Sequence, residues 1–175
     1  MNIGDKAPDF KLKGVDNKEY SLYNFKDKKV LVVIFTCNHC PYVKAYEDRL
    51  IAIQRDYSNK IVQLVAINSN NDKAYPEDSF DKMKIRSREK KFNFPYLRDE
   101  TQEVAKAYSG ERTPHIFIFD EERKLRYTGR VDDNWEHPDK VTKQDLREAI
   151  GALVNGQEVP NPTTHAIGCT IKWKQ

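Results

Sequence analysis

Cys37 and Cys40 are separated by two residues, Asn38 and His39, and are followed at once by Pro41. Two thiols at this spacing close a small disulfide ring if the backbone turns between them. The pair therefore suits reversible dithiol–disulfide chemistry, in which a thiolate attacks a target disulfide and passes through a mixed disulfide. Cys37, read as the more exposed, would make the attack, and Cys40 would resolve the intermediate. His39 stands directly before the second cysteine, where an imidazolium lowers a thiol pKa and makes the couple more oxidising. Read blandly, His39 is a solvent-exposed loop residue and the cysteines are two buried, inert thiols.

The elements around the pair argue for reactivity. Val30 to Phe35 is a continuous apolar, β-branched run, the pattern of a parallel strand buried on both faces. Pro41 suits the first turn of a helix, where its missing N–H costs nothing. That helix carries Val43, Tyr46, Leu50, Ile53 and Tyr57 at three- and four-residue steps. The pair thus sits where a buried strand hands over to a helix N-terminus, whose dipole and free N–H groups stabilise an anion.

A third cysteine lies far downstream. In Ile167 to Trp173, Ile167, Cys169, Ile171 and Trp173 alternate with Gly168, Thr170 and Lys172, which is the period of a half-buried strand. Residues 157–175 are therefore expected to pack on the domain as a C-terminal tail. Cys169 is most simply a small buried hydrophobe; the sharper reading makes it a third redox thiol that relays the disulfide from Cys37 and Cys40. A metal reading competes: Cys37, Cys40, His165 and Cys169 would supply a Cys₃His zinc set. A redox-inactive binding module is a further alternative.

The rest of the composition bounds the answer. The chain has 175 residues, 30 basic and 27 acidic, for a net charge of +3. This is the length of one domain, 1–175, with a sizeable core. The lysines are spread along the chain, so no nucleic-acid stripe stands out. The N-terminus lacks an apolar h-region, and no run of about 18 apolar residues occurs, which predicts a soluble, cytoplasmic chain without a membrane partner. Three cysteines are too few for a disulfide scaffold.

Along the chain the expected strands are Phe10 to Leu12, Lys18 to Leu22, Val30 to Phe35, Ile61 to Ile67, Tyr96 to Leu97, His115 to Phe119 and Leu125 to Arg130. The expected helices follow Pro41, span Pro76 to Phe92 and Glu100 to Tyr108, and run from a Thr142 cap to Val154. Tyr23 to Lys28 reads as a turn, Asn68 to Asp72 as a loop, and Phe80, Met83 and Ile85 as inward residues of the charged helix. Alternating strands and helices, a hairpin and a last helix predict an α/β fold with a central mixed sheet covered on both faces.

These residues resemble the thioredoxin superfamily, and within it the peroxiredoxin-like, redoxin branch. Gly4-Asp5-Lys6-Ala7-Pro8-Asp9-Phe10, with Ser21-Leu22 and Phe25-Lys26, resembles the lead-in of alkyl hydroperoxide reductase/thiol-specific antioxidant proteins. Cys37-Asn38-His39-Cys40 sits like the superfamily redox motif, His39 is similar to the histidine of protein disulfide isomerases, and Thr113-Pro114 before a strand is similar to the cis-proline loop. The resemblance implies a thioredoxin fold with an N-terminal β extension and a C-terminal tail strand. It also implies a thiol–disulfide oxidoreductase that needs no metal or organic cofactor. Its partners would be a protein or small-molecule disulfide or thiol and a cellular thiol reductant. Thr113 and Pro114 would pair with an extended substrate. Arg112 next door would stabilise the thiolate if it turned inward, but an exposed arginine is the default reading there. The alternative activity is a thiol-dependent, antioxidant peroxidase. The sequence departs from the superfamily in three ways. Thr36 stands where thioredoxins place Trp. The strand Val30 to Phe35 has no buried acid to accept a proton. No Pro-x-x-x-Thr-x-x-Cys motif precedes either cysteine. The acids of the Asp132-Asp133-Asn134 loop are the candidates to accept that proton, although a turn bonded to its own backbone is the default there.

Overall fold

All seven residues of Val30–Thr36 and all seven of Val62–Asn68 are buried, so neither strand can face water on either side. The computed structural model covers Met1–Gln175. In chain order it contains β1 (Leu12–Gly14), β2 (Glu19–Tyr20), β3 (Val30–Thr36), α1 (Pro41–Asp56), β4 (Val62–Asn68), α2 (Phe80–Lys90) and β5 (Tyr96–Arg98). These are followed by α3 (Glu103–Tyr108), β6 (Arg112–Thr113), β7 (His115–Phe119), β8 (Leu125–Gly129), α4 (Asp145–Val154) and β9 (Cys169–Thr170). Seven strands form one mixed sheet in the order β2-β1-β5-β4-β3-β7-β8. β3 pairs in parallel with the middle strand β4 and antiparallel with β7, which places it inside the sheet.

Alternation along β3 divides the core in two. Val30, Val32 and Ile34 face a cluster with Tyr46, Leu50 and Ile53 of α1, Met83 of α2 and Leu146, Ala149 and Ile150 of α4. Leu31, Val33 and Phe35 face the other side, with Val104, Ala105 and Tyr108 of α3 and with Phe10 and Phe25 of the lead-in. Helices cover both faces, which is why β3 reads as an unbroken apolar run instead of an alternating one.

Several boundaries differ from expectation for local reasons. The first strand is Leu12–Gly14, two residues later than read, and Phe10 is instead buried in the core. The turn at Tyr23 closes as a 3₁₀ turn over Leu22–Phe25. The charged helix starts at Phe80 because Ser79 accepts the Lys82 N–H at 3.2 Å as an N-cap, and Pro76–Asp78 form a separate 3₁₀ turn before it. Thr142 does not cap the last helix. Its N–H donates to Asp133 Oδ1 at 3.0 Å and its hydroxyl also turns to Asp133, so α4 begins at Asp145.

Ile85 is 40% exposed, while Met83 is fully buried. Residues two apart on a helix lie on opposite sides, so both cannot point inward. Met83→Ala is expected to cost about 2–5 kcal/mol as a core truncation, and Ile85→Ala no more than about 0.5 kcal/mol. Urea unfolding midpoints check this; equal losses at the two positions would contradict the orientation of α2.

The tail is bound along its length. Ile171 is buried on the α3 side of the core and donates its N–H to the Glu111 carbonyl at 3.0 Å. Lys172 N–H donates to Asn70 Oδ1 at 2.9 Å, and its carbonyl accepts from Asn71 N–H at 2.8 Å and from Gln102 Nε2 at 2.9 Å. Lys174 N–H donates to Gln102 Oε1 at 2.9 Å. Trp173, expected on the inner face, is 41% exposed, because pairing as a strand stops at Thr170.

Candidate active site

The end of β3 delivers Cys37, and Cys40 is the N-cap of α1 with Pro41 in the first turn. The Thr113-Pro114 peptide bond is cis and lies against both thiols. Cys37 Sγ is 3.6 Å from Thr113 Oγ1, and Cys40 Sγ is 3.6 Å from the Thr113 carbonyl. Cys169 joins them, with its Sγ 2.8 Å from Cys40 Sγ. β9 brings it there by pairing antiparallel with β6, Thr113 opposite Cys169 and Arg112 opposite Thr170. Cys37, Cys40, Thr113, Pro114 and Cys169, far apart in sequence, therefore meet at one place.

Beneath the thiols lies a buried polar cluster centred on Asp78. Its carboxylate accepts from Asn38 N–H at 2.8 Å, Asn68 Nδ2 at 3.2 Å and Asn70 Nδ2 at 3.0 Å. His39 Nδ1 stands 2.9 Å from Asp78 Oδ2, and its ring stacks on Tyr75. Tyr96 closes the cluster by donating to Asn38 Oδ1 at 2.6 Å. His39 thus addresses Asp78 and not a sulfur.

Asp78 is the residue that the sequence hides. It supplies, from the turn Pro76–Asp78, a fully buried acid that β3 lacks. Two acids after a proline read as the start of a helix, and nothing local marks a carboxylate that belongs under a motif forty residues upstream. The Asp132-Asp133-Asn134 loop does not serve this purpose. Asp132 is held by Arg49 Nη1 at 3.0 and 2.9 Å and by Tyr46 at 3.0 Å, and it accepts the Asn134 N–H in the expected turn.

Burial overturns the expectation that Cys37 is the exposed thiol, and the electrostatics of the pair run against its being the low-pKa one. Cys37 and Cys40 are 2% and 1% exposed, so neither reaches solvent freely. The Cys37 thiol is pushed far up because it donates to Cys40, because it is buried and because Asp78 is near. The Cys40 thiol is lowered to about 4 because it accepts from Cys37. Burial opposes this, while the Cys169 thiol and the amides of Val43 and Cys169 reinforce it. A charge on Cys40 stands at the helix N-terminus, where the dipole favours it. Cys169 is pushed up to about 11, by burial and by donating to Cys40.

Cys37, His39 and Asp78 place three donor atoms within 4.8 Å of one another. They are not the expected zinc set, since His165 is exposed and belongs to no such group. Arg112 is exposed, in line with its default reading, and donates to the Gly168 carbonyl at 3.3 Å.

His115 follows the cis-proline and is nearly buried. Its Nδ1 accepts the Glu111 N–H at 3.1 Å, so the neutral ring carries its proton on Nε2, 3.3 Å from Thr128 Oγ1. Burial lowers its pKa from 6.5 to about 4. The unfolded chain then binds the proton first, so stability is highest above about pH 6.5 and falls as pH drops toward 4, by about 3 kcal/mol at most. His115→Gln should flatten that part of the urea-unfolding pH profile. An identical slope in the variant would show that other groups carry it.

The sheet order, the cis-proline and the dithiol at a strand–helix junction define a thiol–disulfide oxidoreductase of thioredoxin fold. The chain belongs to the redoxin family, whose model matches residues 2–150. It is 23% identical over 155 residues to thiol-disulfide oxidoreductase ResA of Geobacillus thermodenitrificans, covering 86% of this chain and 78% of the relative. The structure of an uncharacterized conserved protein from Geobacillus kaustophilus is 44% identical, with TM-score 0.93 and coverage of 99% of this chain and 93% of the other. That of a hypothetical protein from Sinorhizobium meliloti is 37% identical, with TM-score 0.94 and coverage of 99% and 96%.

Proposed function

We propose that Cys37 and Cys40 are the redox-active pair, cycling between dithiol and disulfide without metal or organic cofactor. Thr113 and the cis-proline form the edge along which a substrate cysteine is presented. The observation that carries this reading is the Cys40 sulfur at the N-cap of α1, 3.6 Å from the Thr113 carbonyl. In the reduced state Cys40 holds the charge and Cys37 the proton. Asp78 is placed to take that proton when the disulfide closes, and His39 tunes the step through Asp78. Substrates are thiols or disulfides of proteins or small molecules, and a cellular thiol supplies the electrons in a reducing, cytoplasmic setting.

A peroxidase needs a donor that polarises the O–O bond beside the thiolate. The one arginine adjoining the cis-proline, Arg112, is exposed and donates to the Gly168 carbonyl, with no contact to either thiol of the pair. This favours disulfide exchange over an antioxidant role. Equilibration in glutathione buffers followed by peptide mapping tests the proposal. A Cys37–Cys40 disulfide should form and titrate reversibly; if no such linkage forms under any poise, the pair is not the redox centre.

A further inference from the structure

We propose that the C-terminal strand is a built-in substrate: it occupies the edge beside the cis-proline, and Cys169 exchanges with Cys40 to form an alternative Cys40–Cys169 disulfide. The inference rests on the reading of Cys37 and Cys40 as the redox pair.

An extended peptide is recognised by adding a strand to an exposed edge, main chain to main chain. β6 is such an edge, and β9 already fills it, with Cys169 opposite Thr113. The fit is close. A Cβ on Gly168 would run into the Thr113 carbonyl oxygen, so only glycine allows the strand to approach this near. Downstream, Ile171 anchors the strand in the core at 3% exposure. Asn70 and Gln102 then clamp Lys172 on both of its main-chain groups. The cysteine is carried between a glycine contact on one side and an anchored isoleucine on the other, which places Cys169 Sγ 2.8 Å from Cys40 Sγ.

The exchange balances within the chain. Starting from the Cys37–Cys40 disulfide, the Cys169 thiolate attacks Cys40 Sγ. The Cys40–Cys169 bond forms, the Cys37–Cys40 bond breaks, and Cys37 leaves as a thiolate that takes up the proton Cys169 gave to solvent. One disulfide becomes another, so no oxidant or reductant is consumed. An external cysteine-bearing segment has to displace the strand before it can pair with Thr113, so the tail also limits access to Cys40.

The full-length chain, oxidised in a glutathione buffer and digested under non-reducing conditions, is expected to yield both Cys37–Cys40 and Cys40–Cys169 linked peptides. The Cys37→Ser protein should yield the Cys40–Cys169 link within one chain. If Cys37–Cys40 forms but Cys40–Cys169 appears in neither protein, the inference fails and the proposed function stands. If Cys37–Cys40 itself does not form, it is the proposed function that fails. Access is read separately, as the rate at which reduced protein reacts with dithiobis(nitrobenzoate) at Cys40. Gly168→Val should raise that rate about tenfold or more by populating the unseated strand. Ile171→Ala, which leaves the groove untouched, should act in the same direction. Unchanged rates in both folded variants would overturn the role of the strand in limiting access.

Discussion

Replacing Cys40 with serine is expected to lower exchange with a disulfide substrate by about 10³-fold or more, the scale on which loss of a residue that forms the covalent intermediate is felt. Cys40 is the shared partner of the site. Cys169 Sγ lies 2.8 Å from it, and Cys37 and Cys169 both lower its thiol pKa. Wild-type reduced protein should therefore keep thiolate absorbance near 240 nm as pH falls, losing it only toward about pH 4. The Cys40→Ser protein should show no thiolate until alkaline pH, since the serine hydroxyl takes no charge and Cys37 remains beside Asp78. If the low-pH thiolate persists in Cys40→Ser and vanishes in Cys37→Ser, the charge belongs to Cys37.

The second large effect is at Asp78. Asp78→Ala removes the acceptor for the Asn38 amide and for the side chains of Asn68 and Asn70, all in a site closed to water. Leaving these donors and the facing His39 unpaired is expected to cost about 3–5 kcal/mol. That is a large part of the 5–15 kcal/mol that holds a typical domain together. Asp78→Asn keeps the shape but not the charge. It should cost less stability and lower the Cys37 pKa, because the carboxylate helps to push that thiol up. Urea unfolding reads the first effect and the absorbance titration the second. A Cys37 titration unmoved in Asp78→Asn would remove Asp78 from the electrostatics of the pair.

What the sequence makes legible here is what is local. The run Val30 to Phe35, the pair Cys37 and Cys40, and Pro41 at a helix start are neighbours, and their order dictates a strand, a turn and a capped helix. Thr113-Pro114 is visible only through resemblance, because no local physics selects cis over trans there. The alternation in Ile167 to Trp173 foretells a strand with Cys169 on its apolar side, but not the edge on which it lands. Asp78 is illegible for the same reason: its role is set by Asn38, Asn68 and Asn70, which only the folded sheet brings around it. Ile85 falls outside the helical period of the buried face, since a helix cannot turn it and Met83 the same way.

A helix usually closes its first turn with a hydroxyl, an amide or a carboxylate. In α1 the N-cap is Cys40, which makes no such side-chain cap; the Val43 amide instead favours the thiolate form of its sulfur. A sulfur shared in a disulfide carries no charge, so in the proposed cycle each oxidation would strip the helix of its terminal anion and each reduction would restore it. The secondary structure of the chain is thereby coupled to its electron count. Whatever firms up the first turn of α1 draws the couple toward the dithiol, and whatever frays it hands the electrons on.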